Sequence, residues 1–163
     1  MATVRMDVKG LIVDPIANMP VLILRDSEEK AFLPIWIGIY EANAIALQLE
    51  GITPPRPMTH DLLRNALAEL GVEIVSVTVT DLLDNTFHAR ILLRQGSGSE
   101  ILLDSRPSDA IALALRANAP VFVEESVLEK SLVSSEKEDA QNAERLRKWL
   151  EEVDPDTLSK YRM

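Results

Sequence analysis

The chain has 163 residues, of which 47% are hydrophobic and 26% charged, and it carries a formal net charge of −9 at pH 7. This length suits one folded domain or one domain with an appendage, and the apolar fraction excludes a wholly disordered chain. The absence of cysteine excludes disulfides, thiolate zinc sites, iron–sulfur clusters and cysteine nucleophiles. The acidic balance argues against a general nucleic-acid binder, because such proteins usually carry a net basic charge or a basic stripe.

The first part of the chain predicts three strands and then a helix. Alternating and continuous apolar residues predict strands over 4–13, 21–24 and 32–39, separated by proline-containing and polar turns. The period then changes, because Ala42, Ile45, Ala46 and Leu49 share one helical face. We expect this helix to occupy 41–49 and to end near Gly51.

A proline-rich linker at 53–57 separates this unit from a second helix that begins near Thr59, the expected N-cap. That helix carries an apolar stripe, formed by Leu62, Leu63, Ala66, Leu67 and Leu70. Strands are predicted over 72–80, 87–93 and 101–103, followed by a helix that begins at Arg106 or Ser108 and a last strand over 121–123.

An internal repeat emerges when the chain is shifted by about 66 residues. Residues 44–49 then match 110–115, and 35–37 match 101–103. Chance recurrence in an Ala/Leu-rich chain is the alternative, but the shared order of elements favours duplication of halves at about 4–52 and 70–118. The predicted fold class is α+β, with duplicated strand–strand–strand–helix units that form a largely antiparallel sheet with packed helices.

The composition becomes mostly polar after about Glu125. We therefore expect a domain over 1–128 and an acidic helical tail over 129–163. The N-terminus lacks the pattern of a signal peptide, and no apolar stretch approaches the roughly 18–20 residues that span a membrane. The expected location is cytoplasmic, with no membrane partner.

Several charged side chains lie where a strand gives way to a helix. In the repeat, Asp109 corresponds to position 43, and Glu41 lies two residues before that position. If the halves pack symmetrically, the strand–helix junctions that carry Glu41 and Asp109 are expected to face a common cleft. Carboxylates there, with Glu41, Asp104 and Asp109 as candidates, suit Mg²⁺ or Mn²⁺. Such a metal could position water against a phosphodiester, with Arg56 or Arg106 neutralising charge.

His60 is the candidate general acid or base in the same set, and Asp61 follows it directly. Structural explanations remain open for each of these residues. Glu41, Asp61 and Asp109 are favourable in the first turn of any helix. Arg106 suits an ion pair with Asp104 or Asp109, and His60 suits a capping or surface position.

Three separated segments resemble the bifunctional nuclease (BFN) domain family. These are residues 33–42, residues 56–63 with the letters RPMTHDLL, and residues 104–114 with the letters DSRPSDAIALA. The resemblance covers about 6–128. It implies an α+β domain, often a homo-oligomer, with nuclease activity on DNA and RNA, and it implies a site that draws on Glu41, Arg56, His60, Asp61, Asp104, Arg106 and Asp109.

Two functions therefore stand as hypotheses. The first is a nuclease that hydrolyses phosphodiesters in DNA and RNA, with Mg²⁺ or Mn²⁺ as the candidate assisting metal. The alternative is a non-catalytic oligomeric binding or regulatory module, with a homodimer favoured, because Ala/Leu-rich helices allow close packing. A small-molecule enzyme is a third option without a motif of its own.

Overall fold

The computed structural model describes residues 2–28 and 30–131. Within these residues it contains seven strands and four helices in an α+β arrangement. The predicted helical tail lies almost wholly outside them. The division of the chain at residue 128 and the internal duplication stay predictions.

The first unit has the predicted order of three strands and a helix. It consists of β1 (Thr3–Val13), β2 (Pro20–Asp26), β3 (Phe32–Trp36) and helix α1 (Ile39–Leu49). The three strands pair antiparallel in chain order. Gly51 follows α1 with φ of +69°, a backbone conformation that favours glycine and suits the end of a helix.

The second unit repeats this order after the intervening helix α2 (Thr59–Glu69). It consists of β4 (Glu73–Leu83), β5 (Thr86–Arg94), β6 (Glu100–Ser105) and α3 (Pro107–Ala117). Pro107 occupies the first turn of α3, where its missing N–H costs no helical hydrogen bond. The N-cap of α2 is Met58 rather than the expected Thr59, and the Asp61 carboxylate accepts a hydrogen bond from the Met58 backbone N–H.

The last strand, β7 (Val121–Glu124), joins the two units into one sheet with the order β3-β2-β1-β7-β4-β5-β6. It pairs antiparallel with β1 and parallel with β4. The sheet is therefore largely antiparallel, as expected, with one parallel pair. Residues 125–131 are helical, and Lys130 in this segment pairs with Asp81 of β4 at 2.9 Å.

Helices α1 and α2 both pack against α3. Helix α1 contacts β1 and β2, α3 contacts β4 and β5, and both α1 and α2 contact α3. Helix α3 is nearly all buried, and its alanines allow the close approach of its neighbours. This packing brings the first turns of all three helices toward one another, which positions the charged side chains described next.

Candidate functional site

Four charged or titratable side chains from the three helices form one connected network. His60 Nε2 lies 2.8 Å from Asp109 Oδ1. The Arg106 guanidinium donates through Nε to Asp109 Oδ2 at 2.9 Å and through Nη2 to Glu41 Oε1 at 2.7 Å. We call these four residues the junction network, because each lies at or near the start of a helix.

The sequence places each acidic member of this network favourably. Glu41 lies in the first turn of α1 and Asp109 in the first turn of α3, where carboxylates interact well with the positive end of the helix dipole. Arg106 is the N-cap of α3. Its bond to Glu41 directly links the two strand–helix junctions that the repeat predicted to face each other.

Arg106 is an ion-paired cation at a largely exposed position. The hydrogen bond with Asp109 and then that with Glu41 raise the pKa of Arg106 above its ordinary value, so the guanidinium stays charged. Its side chain is 65% exposed. Nε and Nη2 are occupied by the two carboxylates, which leaves Nη1 as the end of the fork that can reach a further acceptor.

His60 is oriented by its carboxylate partner. An Nε2–H that donates to Asp109 leaves Nδ1 with the lone pair, so Nδ1 is the ring nitrogen that can accept a proton. A carboxylate in this position holds the imidazole in one tautomer and stabilises the imidazolium that forms when Nδ1 is protonated. Together, His60 and Asp109 form an arrangement suited to general base catalysis.

Asp61 has a different partner from its neighbour His60. Its Oδ1 accepts from Arg116 Nε at 2.6 Å, and the Arg116 side chain is only 2% exposed. Burial raises the pKa of Asp61, but hydrogen bonds from the Met58 N–H and from Arg116 outweigh it and hold the pKa below its ordinary value. Asp61 thus neutralises a buried cation and is not bonded to the junction network.

Arg116 is the residue that the sequence reasoning missed. Besides Asp61 of α2, it donates to the carbonyl oxygens of Ala112 in α3 and Ala44 in α1, at 2.9 and 3.1 Å. One guanidinium therefore ties together all three helices. The sequence did contain a signal for it. Arg116 interrupts an otherwise apolar helix, and it lies one turn after Ala112, on the same buried face.

The remaining two candidates lie apart from the junction network. Arg56 is exposed on the linker before α2 and makes no hydrogen bond or ion pair with any described residue. Asp104 lies exposed on β6, opposite Arg90 of β5 in the strand register, and no described side chain bonds to it. The structure therefore brings together Glu41, His60, Arg106 and Asp109.

The metal candidates do not fit the Mg²⁺ or Mn²⁺ site considered from the sequence. Within residues 2–28 and 30–131, no group of three or more His, Asp or Glu side chains is arranged to hold a metal ion. The facing oxygens of Glu41 and Asp109 already accept hydrogen bonds from Arg106.

Comparison with protein families identifies the domain. Residues 22–136 match the model described as the bifunctional nuclease domain. The chain belongs to the bifunctional nuclease domain family. The matched range contains all seven candidate residues, so the junction network and the Asp61–Arg116 pair are both parts of a bifunctional nuclease domain.

Relatives of two kinds share this domain. An uncharacterised protein of Mycobacterium tuberculosis strain H37Rv is 41% identical over 158 residues, which cover 91% of this chain and 94% of that protein. Bifunctional nuclease 1 of Oryza sativa subsp. japonica is 30% identical over 120 residues, covering 65% of this chain and 36% of that protein. Bifunctional nuclease 1 of Arabidopsis thaliana is 28% identical over 111 residues, covering 66% and 34%.

The coverage figures separate the two kinds of relative. The chain spans nearly all of the mycobacterial protein but only about a third of each plant nuclease.

Among the described residues, no helix is both long and apolar enough to cross a membrane.

Proposed function

We propose that this chain is a nuclease that hydrolyses phosphodiester bonds in DNA and RNA, with its reaction centre at the junction network. The observation that carries the proposal is the convergence of His60, Asp109, Arg106 and Glu41 from three helices within a bifunctional nuclease domain. The names of the plant relatives supply the reaction class.

In the proposed reaction, His60 is the general base. A water oxygen attacks phosphorus, the water proton passes to Nδ1 of His60, and the ester P–O bond breaks as the leaving oxygen takes a proton from solvent. Asp109 stabilises the resulting imidazolium, and Nη1 of Arg106 faces the charge that develops on the phosphoryl oxygens. Glu41 holds Arg106 in place and is a positioning residue.

The test is cleavage of end-labelled single-stranded DNA and RNA by the purified full chain, with added Mg²⁺ or Mn²⁺ and in parallel with EDTA. His60→Gln is expected to lower the rate at least 100-fold, the lower range for loss of a general base. His88→Gln is the matched control, because the chain has two histidines and His88 lies on β5. Equal rates for the His60 and His88 variants would refute this reaction centre.

We propose the oligomeric module as the second candidate, supported by the exposed apolar face of α2. Leu62 and Leu70 of this stretch are 63% and 78% exposed. They lie four residues before and after Ala66, so a twofold axis at Ala66 would set Leu62 of one copy against Leu70 of the other. This symmetry favours a homodimer.

Light scattering with size exclusion tests the second candidate on the full chain. We expect a dimer, and we expect a monomer for the Leu62→Gln/Leu70→Gln double variant. A wild-type monomer, or an unchanged dimer in the double variant, would count against this face. Cleavage that survives in a monomeric variant would show that nuclease activity does not depend on the dimer.

The cytoplasmic location stays a prediction.

A further inference from the structure

A surface cavity of about 350 Å³ lies beside the Asp61–Arg116 pair. Its described lining includes three arginines, one carboxylate and two amides: Arg56, Arg64, Arg116, Asp61, Gln48 and Asn65. None of the four residues of the junction network is among its described lining residues. Nothing in the reaction proposed above uses this cavity.

The lining carries an excess of positive charge. Asp61 balances Arg116 through the 2.6 Å bond, which leaves Arg56 and Arg64 uncompensated, a net of 3 − 1 = +2. The whole chain carries −9. A concave surface of opposite sign to the rest of the molecule concentrates anions locally.

Arg64 and Asn65 contribute hydrogen-bond donors to the lining of the cavity. Arg64 donates through Nε to Asn65 Oδ1 at 3.0 Å and through Nη1 to the Arg116 carbonyl oxygen at 3.3 Å. These two bonds fix the guanidinium and use two of its five N–H donors. Because Asn65 Oδ1 accepts from Arg64, the Asn65 side chain offers its amino group as a donor.

Arg56 supplies the other uncompensated charge of the cavity, on a stiff stretch of backbone. It lies between Pro55 and Pro57, and a residue that precedes proline is confined to extended conformations. Among the described residues its guanidinium has no partner. An arginine fork matches the geometry of phosphate oxygens, and two arginines that line one cavity suit a doubly charged phosphate monoester.

We propose that this cavity binds a phosphate monoester of nucleotide size, through Arg56 and Arg64. The volume of the cavity lies at the lower end of the range for small-ligand pockets. This volume is larger than a bare phosphate needs, and it suits one nucleotide. The phosphate belongs either to a free mononucleotide or to the 5′ end of an oligonucleotide. This binding site is independent of the cleavage reaction at His60.

Isothermal titration of the full chain tests the proposal with AMP, adenosine and matched oligonucleotides with and without a 5′-phosphate. AMP is expected to bind and adenosine is not. Arg56→Gln is expected to weaken AMP binding about tenfold or more, since one charge-assisted contact is lost. Arg5→Gln, which removes the same charge from an exposed position on β1, is the matched control and is expected to bind AMP as the wild type does.

The oligonucleotide arms distinguish the two sources of the phosphate. Tighter binding of the 5′-phosphorylated oligonucleotide than of AMP assigns the cavity to a strand end, and the reverse order assigns it to a free nucleotide. Equal binding of AMP and adenosine, no binding of either phosphate, or equal affinity in the Arg56 and Arg5 variants would overturn the proposal. His60→Gln is expected to leave AMP binding unchanged, and its loss there would move the nucleotide to the junction network instead.

Discussion

Arg116 shows how much of this fold depends on a single buried charge. Its guanidinium is bonded to the carboxylate of Asp61 and to two carbonyl oxygens, Ala112 and Ala44, each partner belonging to a different helix. A buried cation is tolerated only when it is paired and its N–H groups are hydrogen-bonded. Among the described residues no buried side-chain nitrogen or oxygen lacks a partner, and Arg116 meets this condition.

Asp61→Asn is therefore expected to destabilise the domain strongly. The substitution keeps the size of the side chain but leaves Arg116 as a buried charge without its counterion. Breaking a buried pair in this way costs about 3–5 kcal/mol. Urea unfolding at neutral pH measures the loss in the free energy of unfolding. Asp7→Asn, at an exposed position on β1, is the matched control, and a loss no larger than that of the control would contradict a structural role for Asp61.

The same pair predicts how stability changes with pH. The pKa of Asp61 is lowered in the folded protein, so the carboxylate stabilises the fold fully above its unfolded pKa of about 3.9. This contribution is lost as the pH falls through the lower, folded-state pKa. Below about pH 4 the free energy of unfolding of the wild type should fall more steeply than that of Asp61→Asn. Parallel pH profiles for the two proteins would exclude this linkage.

At the scale of elements, a partly buried hydrogen bond ties the β1–β2 loop to the edge strand β3. Trp36 donates through Nε1 to Asp14 Oδ2 at 2.7 Å, and the other oxygen of Asp14 accepts from the Ile16 backbone N–H at 2.8 Å. Burial raises the pKa of Asp14, but these bonds outweigh it and lower the pKa overall. The loop is thus held to the sheet by polar contacts.

Trp36→Phe should remove this tie while keeping most of the aromatic surface. Because the acceptor is charged and nearly buried, we expect a loss of about 1.5–3 kcal/mol in the free energy of unfolding. Tyr40→Phe removes the polar group of an aromatic side chain that is 86% exposed, and it should have little effect. Chemical denaturation of both variants checks the difference, and equal stabilities would show that the Trp36–Asp14 bond contributes nothing.

Helix α2 marks the limit of what the apolar pattern could predict. Its stripe correctly indicated a helix, but of the five stripe residues only Leu67 packs against the core, while Leu62, Leu63 and Leu70 are exposed. The opposite, polar side faces α3 through His60 and Asp61. A hydrophobic period defines a face, but here the side of α2 that turns toward α3 makes the His60–Asp109 hydrogen bond and the Asp61–Arg116 ion pair.

At the scale of the whole molecule, local patterns predicted the units better than their assembly. The two strand–strand–strand–helix units followed from periodicity, and the Glu41–Arg106 pair joins the start of α1 to the start of α3. The central place of β7 did not follow, because pairing between strands far apart in the chain leaves no local signature. Arg116 stood out locally as a charge in an apolar helix, but no local pattern showed that Asp61 of α2 would be its partner.

Positive charge is unevenly distributed over this acidic chain. In the junction network one arginine faces two carboxylates, so that network adds no positive charge of its own. The excess of positive charge lies instead in the cavity that contains Arg56 and Arg64. A polyanion approaching this acidic chain is therefore expected to be held by a few local contacts and not by a long basic surface.

The salt dependence of binding tests this view directly. For single-stranded nucleic acid the logarithm of affinity falls by about 0.7 per neutralised phosphate charge for each unit of log salt. The two charges of a terminal phosphate, one neutralised by each arginine, therefore predict a slope of about −1.4. Fluorescence anisotropy of a 5′-phosphorylated oligonucleotide, with His60→Gln used to prevent cleavage, measures it. Adding Arg56→Gln should reduce the slope by about 0.7, whereas adding Arg5→Gln should leave it unchanged. A slope that corresponds to five or more phosphates would require a basic surface beyond the cavity and would contradict binding by a few local contacts.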